Sequence, residues 1–113
     1  MDAQTRFEEL VREALDGLPD WVARRLDNVE VLIEDEPPPG ANLLGLYEGI
    51  PLTRRGMSYA GVLPDRITLF RGPIERAARR DDDLRRIVRD TVVHEFAHFF
   101  GISDERLREL GRG

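Results

Sequence analysis

The sequence predicts a small α+β domain in which a mixed sheet of three or four strands packs on a buried helix. Segments with helical periodicity occur at both ends of the chain and strand-like segments lie between them, an order typical of an α+β layer. The 113 residues allow one domain, spanning 1–113, with a modest core. Apart from His94, Glu95 and His98, residues 92–100 are all apolar, as in a buried helix.

The N-terminal segment is predicted to form two helices. Thr5 and Glu8 fit a capping box at the start of the first helix, and Gly17 is expected to end it. Asp20 can cap a second short helix over residues 21–26. The apolar face of the first helix consists of Phe7, Leu10, Val11, Ala14 and Leu15.

Three strands are predicted in the middle of the chain. Residues 29–35 alternate between apolar and acidic side chains, as a half-buried strand does. Residues 43–48 and 66–71 are the second and third strand candidates. Residues 49–64 contain three glycines and two prolines and are predicted to form a loop.

The C-terminal segment is predicted to form three helices. Asp81–Asp83 can cap the second of them, and Ser103 can cap the third. Gly101 is expected to end the second helix in the left-handed conformation that glycine tolerates. The predicted ranges are 73–80, with Pro73 as the first helical residue, then 84–100 and 104–110.

Composition narrows the classes of function. The chain has no cysteine, so a zinc site would have to use nitrogen and oxygen ligands. No segment reaches the apolar length of a membrane span, and residues 1–6 do not resemble a secretory signal, so the expected location is cytoplasmic. The net charge of −5 argues against binding to nucleic acid.

The most informative feature is the segment HEFAHFFGISD at residues 94–104, an HExxHxxGxxD motif that contains both histidines of the chain. Residues four apart on a helix share one face, so His94 and His98 can bind one metal ion. Glu95 has the position of a general base acting on a zinc-bound water. Asp104 is the candidate third ligand, because Gly101 allows the chain to turn back toward the metal. The alternative is that the histidines are ordinary helix side chains and that Asp104 is an acid in a first helical turn.

The motif resembles that of the zincins, in the metzincin-type extended form with Asp104 replacing the usual third histidine. The small size and the three preceding strands resemble the minimal-zincin group of bacterial metallopeptidases. The resemblance implies a small zincin-like fold and a Zn²⁺-dependent metallopeptidase that hydrolyses peptide bonds in peptides or unfolded proteins. It implies His94, His98 and Asp104 as metal ligands and Glu95 as general base. Metzincins also have a methionine turn after the motif, whereas both methionines precede it here.

The resemblance also suggests how a substrate binds. In zincins an edge strand before the active-site helix binds substrate by strand addition, and residues 67–70 or 43–47 would have this role unless they are ordinary sheet strands. Tyr47 and Tyr59 are candidates for a hydrogen-bond donor in the transition state, and nothing in their spacing selects either.

Other functions remain open at this stage. The main alternative is a binding or regulatory module on the zincin scaffold, with a structural or vestigial metal site and a protein partner in a shallow cleft. A third hypothesis is a metal-dependent hydrolase of non-peptide amides. Seven arginines between residues 71 and 89 could bind an anionic partner, but the acids among them favour solvated helix faces with ion pairs. Neither a nucleic-acid nor a membrane partner is expected.

Overall fold

A computed structural model describes residues 2–24, 29–49 and 65–109, leaving aside the side chains at positions 104, 107 and 108. The order of its elements confirms the predicted α+β class. The helices are α1 (Ala3–Asp16), α2 (Asp20–Ala23), α3 (Arg71–Ala77), α4 (Asp81–Phe99) and α5 (Asp104–Glu109), and the strands are β1 (Val29–Glu34), β2 (Gly45–Glu48) and β3 (Asp65–Phe70).

The three described strands form a mixed sheet in the order β1-β3-β2. β1 runs parallel to β3, with Val29 opposite Asp65, and β2 runs antiparallel to β3, with Gly45 opposite Leu69. Both edges of β3 are therefore occupied, and its side chains from Ile67 to Phe70 are all buried. The central position also rules out β3 as a strand that accepts a substrate, whereas β2 lies at the edge of the described sheet.

The core lies between the sheet and helices α1 and α4. Helix α4 contributes residues at helical spacing along one face, and Val88, Val92 and Phe96 are at most 2% exposed. These residues contact a cluster that also contains Phe7, Leu10, Val11, Ile67, Leu69, Ile74 and Phe99. The motif helix is therefore held by its apolar face, and its histidines, half-buried, lie outside this cluster.

Several helix starts differ from the predictions. Helix α3 begins at Arg71, so Pro73 is its third residue, where a missing N–H is still harmless because the first-turn donors have no helical acceptor. Helix α4 begins at Asp81, so the three aspartates form its first turn, where they complement the helix dipole. Helix α5 begins as predicted, with Ser103 Oγ accepting a hydrogen bond from the N–H of Arg106 at 3.1 Å.

The first helix is capped by Asp2, and the predicted capping box at Thr5 is wrong. The Asp2 carboxylate accepts a hydrogen bond from the backbone N–H of Thr5 at 2.7 Å, so Thr5 lies within the first turn. A carboxylate is a stronger acceptor than a hydroxyl for a first-turn N–H group, and it also interacts favourably with the helix dipole. The hydrogen bond from Thr5 lowers the pKa of Asp2 below its usual value of 3.8.

This cap should make the stability of the chain depend on pH. Because the pKa of Asp2 is lower in the folded state, its contribution is present above the unfolded value of 3.8 and is lost as the pH falls through the folded pKa. We therefore expect Asp2→Ala to lower the Tm at pH 7, and the difference from the parent to shrink in strong acid. Thermal unfolding of the parent, Asp2→Ala and Asp2→Asn between pH 7 and pH 2 measures this effect. A Tm difference that is constant over that range would contradict it.

Candidate metal centre

A cleft of about 440 Å³ lies where the C-terminal half of α4 passes beneath the edge strand β2. This volume is within the range of small-ligand sites, ~300–1,000 Å³. Helix α4 contributes the motif residues His94, Glu95 and His98 to the cleft. The other walls are formed by Leu43, Gly45, Leu46 and Tyr47 at the edge strand, and by Gly101, Ile102 and Ser103 after the helix.

The two motif histidines point to the same place. The Nε2 atoms of His94 and His98 are 3.2 Å apart, and their ring centroids are 4.8 Å apart at an interplanar angle of 82°. Two ring nitrogens bound to one tetrahedral zinc at about 2.0–2.1 Å would lie about 3.3 Å from each other. The pair therefore fits two ligands of a single zinc ion.

The turn after α4 orients His98. Gly101 has a φ of 88°, and this left-handed residue allows the N–H groups of Gly101 and Ile102 to bond back to the carbonyls of His98 and Ala97, each at 2.9 Å. The carbonyl oxygen of Ile102 then lies 2.9 Å from His98 Nδ1. A carbonyl can only accept, so Nδ1 carries the proton and the lone pair of a neutral His98 is on Nε2, facing His94.

The sequence does not predict the contact between the Ile102 carbonyl and His98. Gly101 was expected to redirect the chain toward Asp104, but the same turn also supplies a hydrogen-bond acceptor to His98. A glycine three residues after a candidate ligand, which is the spacing between His98 and Gly101, is the only sequence signal of this contact. It could not identify the carbonyl involved, because that depends on the backbone path after the helix.

Glu95 is buried beside the histidines, with 6% of its surface exposed. Its side chain lies where α4 contacts β2, and its Cγ is close to the backbone of Gly45. Glu95 also lines the cleft, so a buried carboxyl group is next to the histidine pair. A buried carboxyl group in the same cleft as two histidines is a candidate for a general base.

Two other polar side chains have specific partners. The Thr91 hydroxyl donates to the Ile87 carbonyl one turn earlier at 2.7 Å, and its methyl group packs against β2, so Thr91 serves the packing of the helix. The Tyr47 hydroxyl donates to Oδ2 of the buried Asp65 at 2.8 Å. Its single proton therefore points to Asp65 in this conformation. Tyr59 lies outside the described residues.

The third predicted ligand, Asp104, is the first residue of α5. Its backbone follows directly after the Gly101 turn, but its side chain is not among those that the structure describes. Within the described side chains no group of three or more histidine, aspartate or glutamate residues is arranged so that it could hold a metal ion. The role of Asp104 as a metal ligand is therefore still a prediction.

Five of the seven arginines between residues 71 and 89 form ion pairs with described residues, namely those at positions 71, 76, 85, 86 and 89. Arg71 contacts Asp35 at 3.1 Å, Arg76 contacts Glu36 at 2.9 Å, and Arg85 contacts Glu13 at 2.9 Å. Arg76 donates hydrogen bonds to Glu36, and Arg85 donates one to Glu13, and these bonds raise the pKa values of both arginines. These contacts support the interpretation of solvated, ion-paired helix faces.

Comparisons with known proteins agree with this fold. The family model described as zincin-like metallopeptidase matches residues 26–113. A solved structure of a conserved hypothetical protein from Thermus thermophilus is similar, with 28% identity, a TM-score of 0.62 and coverage of 98% of this chain and 100% of that chain. No curated protein matches the chain. Among the helices that the structure describes, none combines the length and the apolar character needed to cross a membrane. The match over residues 26–113 shows that the chain belongs to the zincin-like metallopeptidase family.

Proposed function

We propose that this protein is a zinc-dependent peptidase in which His94, His98 and Asp104 hold the metal and Glu95 is the general base. The observation that carries the proposal is the pair of Nε2 atoms 3.2 Å apart, placed beside a buried carboxyl group in a cleft. Zincin-like family membership supports the same conclusion, since zinc is the metal that such scaffolds hold.

Each group in the cleft has a separate role in the proposed reaction. When bound, zinc lowers the pKa of a water molecule to about 7 and polarises a carbonyl group. Glu95 takes up the proton that the attacking water releases and delivers it to the nitrogen of the leaving amine. The Ile102 carbonyl keeps His98 in the tautomer that binds a metal through Nε2.

The edge strand β2 offers a backbone surface for an extended peptide. The N–H of Phe70 donates to the carbonyl of Leu44 at 2.9 Å. Because bonding alternates along an antiparallel pair, Leu46 directs its backbone groups toward β3, and Gly45 and Tyr47 direct theirs away from it. We propose that an extended substrate pairs with the backbone at Gly45 and that the apolar side chains of Leu43, Leu46 and Ile102 contact its side chains.

Metal content tests the proposal directly. Protein purified without chelators or metal-affinity resin should contain zinc at about one ion per chain. His98→Ala should lose the zinc, because a catalytic zinc usually has three protein ligands and this variant removes one of the two histidines. Elemental analysis measures the stoichiometry. Arg89→Ala, an exposed substitution on the same helix, is the control and should retain zinc.

The outcomes separate the two functions that the scaffold can support. Retention of zinc by His98→Ala would contradict the proposed site. Zinc that is lost with His98, combined with no hydrolysis of any peptide in a library, would favour the binding or regulatory module. In that case removal of the metal should also greatly lower the stability of the fold, as for a structural zinc.

A further inference from the structure

Gly45 lies where the edge strand β2 crosses the motif helix α4. A Cβ atom at this position would lie 2.9 Å from Cγ2 of Thr91 and 3.1 Å from Cγ of Glu95. It would also lie 3.2 Å from the carbonyl oxygen of Thr68. Cβ atoms essentially never approach a neighbour to 2.9 Å, so even alanine requires the strand or the helix side chains to move.

Space, rather than backbone conformation, explains why this residue is glycine. Gly101 has a positive φ that disfavours other residues, whereas Gly45 has no positive φ and lies in a regular strand. A glycine inside a strand loses packing and raises the entropy cost of folding, and it often marks a close approach of the backbone to another group. Here the groups approached are the side chains of Thr91 and Glu95.

The helix side of this contact is also held in place. Thr91 and Glu95 are four residues apart on one face of α4, and each is 6% exposed. The hydrogen bond from Thr91 Oγ1 to the Ile87 carbonyl fixes the Thr91 rotamer and directs its methyl group toward β2. The backbone of Gly45 therefore lies directly against the Glu95 side chain, with no room for a Cβ atom between them.

We propose that Gly45 is a positioning residue for Glu95. Its missing side chain lets the edge strand lie directly on the stem of Glu95, which sets the distance between the carboxyl group and the strand backbone that would pair with a peptide. This inference rests on the proposed peptidase function. Displacement of a general base by about an ångström lowers turnover much more than it lowers substrate binding, because the base accepts its proton in the transition state.

Four variants of the full chain test the proposal. Gly45→Ala introduces the close contacts with Thr91 and Glu95. The double variant Gly45→Ala with Thr91→Ser lacks the methyl group that is 2.9 Å from the new Cβ atom. It keeps the hydroxyl group at position 91 and the 3.1 Å contact with Glu95. Thr91→Ser alone is the reference for the double variant. Gly17→Ala is the matched control, because a Cβ there meets its neighbours at ordinary distances of 3.5 and 3.6 Å.

We expect kcat for peptide hydrolysis to fall by about 10- to 100-fold in both Gly45 variants, with KM changed less than about three-fold. Zinc content should remain at the parental stoichiometry, and the double variant should recover part of the Tm that Gly45→Ala loses. Gly17→Ala should keep the parental kcat. A folded, zinc-loaded double variant with the kcat of Thr91→Ser would overturn the proposal.

A second measurement does not depend on turnover. If the Glu95 side chain is what leaves too little room for a Cβ atom at position 45, then Gly45→Ala should lower the Tm less in a Glu95→Ala background than in the parent. Strictly additive Tm changes would overturn the positioning role. If the parent hydrolyses no peptide, the proposed function fails, and this coupling still decides whether Gly45 positions Glu95.

Discussion

Replacing Glu95 with glutamine should lower kcat for peptide hydrolysis by about 10²- to 10⁴-fold while zinc stays bound. Glutamine has nearly the same shape and can occupy the buried space beside Gly45, but it cannot take up a proton from the attacking water. The histidines are unchanged, so the metal site should keep its affinity. The loss should appear in kcat, since the proton transfer is made in the transition state.

Steady-state kinetics and elemental analysis on the same preparation check this prediction. Glu9→Gln is the matched control, because it makes the same chemical change at an exposed position of helix α1, and it should retain the parental kcat. Cleavage by Glu95→Gln at the parental rate would exclude Glu95 as the general base. Loss of zinc from this variant would instead mean that Glu95 contributes to binding the metal.

Replacing Phe96 with alanine should lower the free energy of unfolding by ~3–5 kcal/mol. The Phe96 side chain is 2% exposed and belongs to the cluster that joins α4 to α1 and the sheet. Its removal leaves a cavity at the point where the motif helix is anchored. A domain of this kind has a total stability of ~5–15 kcal/mol, so the variant is expected to lose a large fraction of it.

Urea unfolding followed by the fluorescence of Trp21, the single tryptophan, measures the change. Trp21 packs against Phe100 at a centroid distance of 5.4 Å, so it reports on the end of helix α4. Leu44→Ala is the control, because Leu44 is 40% exposed and its truncation should change the stability by less than about 1 kcal/mol. Equal effects of the two substitutions would show that Phe96 does not anchor the helix.

Much of the fold follows from local patterns in the sequence. The order of helices and strands was predicted correctly because apolar residues alternate in Val29–Glu34 and recur at helical spacing in α1 and α4. The helix boundaries were predicted less well. The sequence predicted a capping box at Thr5, whereas the hydrogen bond from the Thr5 N–H shows that Asp2 caps the first helix. Similarly, Gly72 and Pro73 predicted a break after residue 71, whereas α3 already begins there.

The candidate site was predictable to the extent that it lies on one helix. The four-residue spacing of His94 and His98 predicts that they share a face, and their Nε2 atoms lie 3.2 Å apart. The choice between two strands as the edge beside the site was not predictable, because strand order depends on pairing between distant segments. The sheet places β3 in the centre and β2 at the cleft.

The sequence by itself determined the motif, the periodicity of the helix that carries it and the glycine that ends this helix, because these depend on residues within one or two helical turns of each other. The tertiary structure alone decided which backbone lies against Glu95, which carbonyl orients His98 and where Tyr47 directs its proton. Each of these contacts joins separate elements or follows the path of a turn. Their geometry depends on how β2 packs on α4 and on the path of the chain after Gly101. No local pattern of residue types specifies either of these.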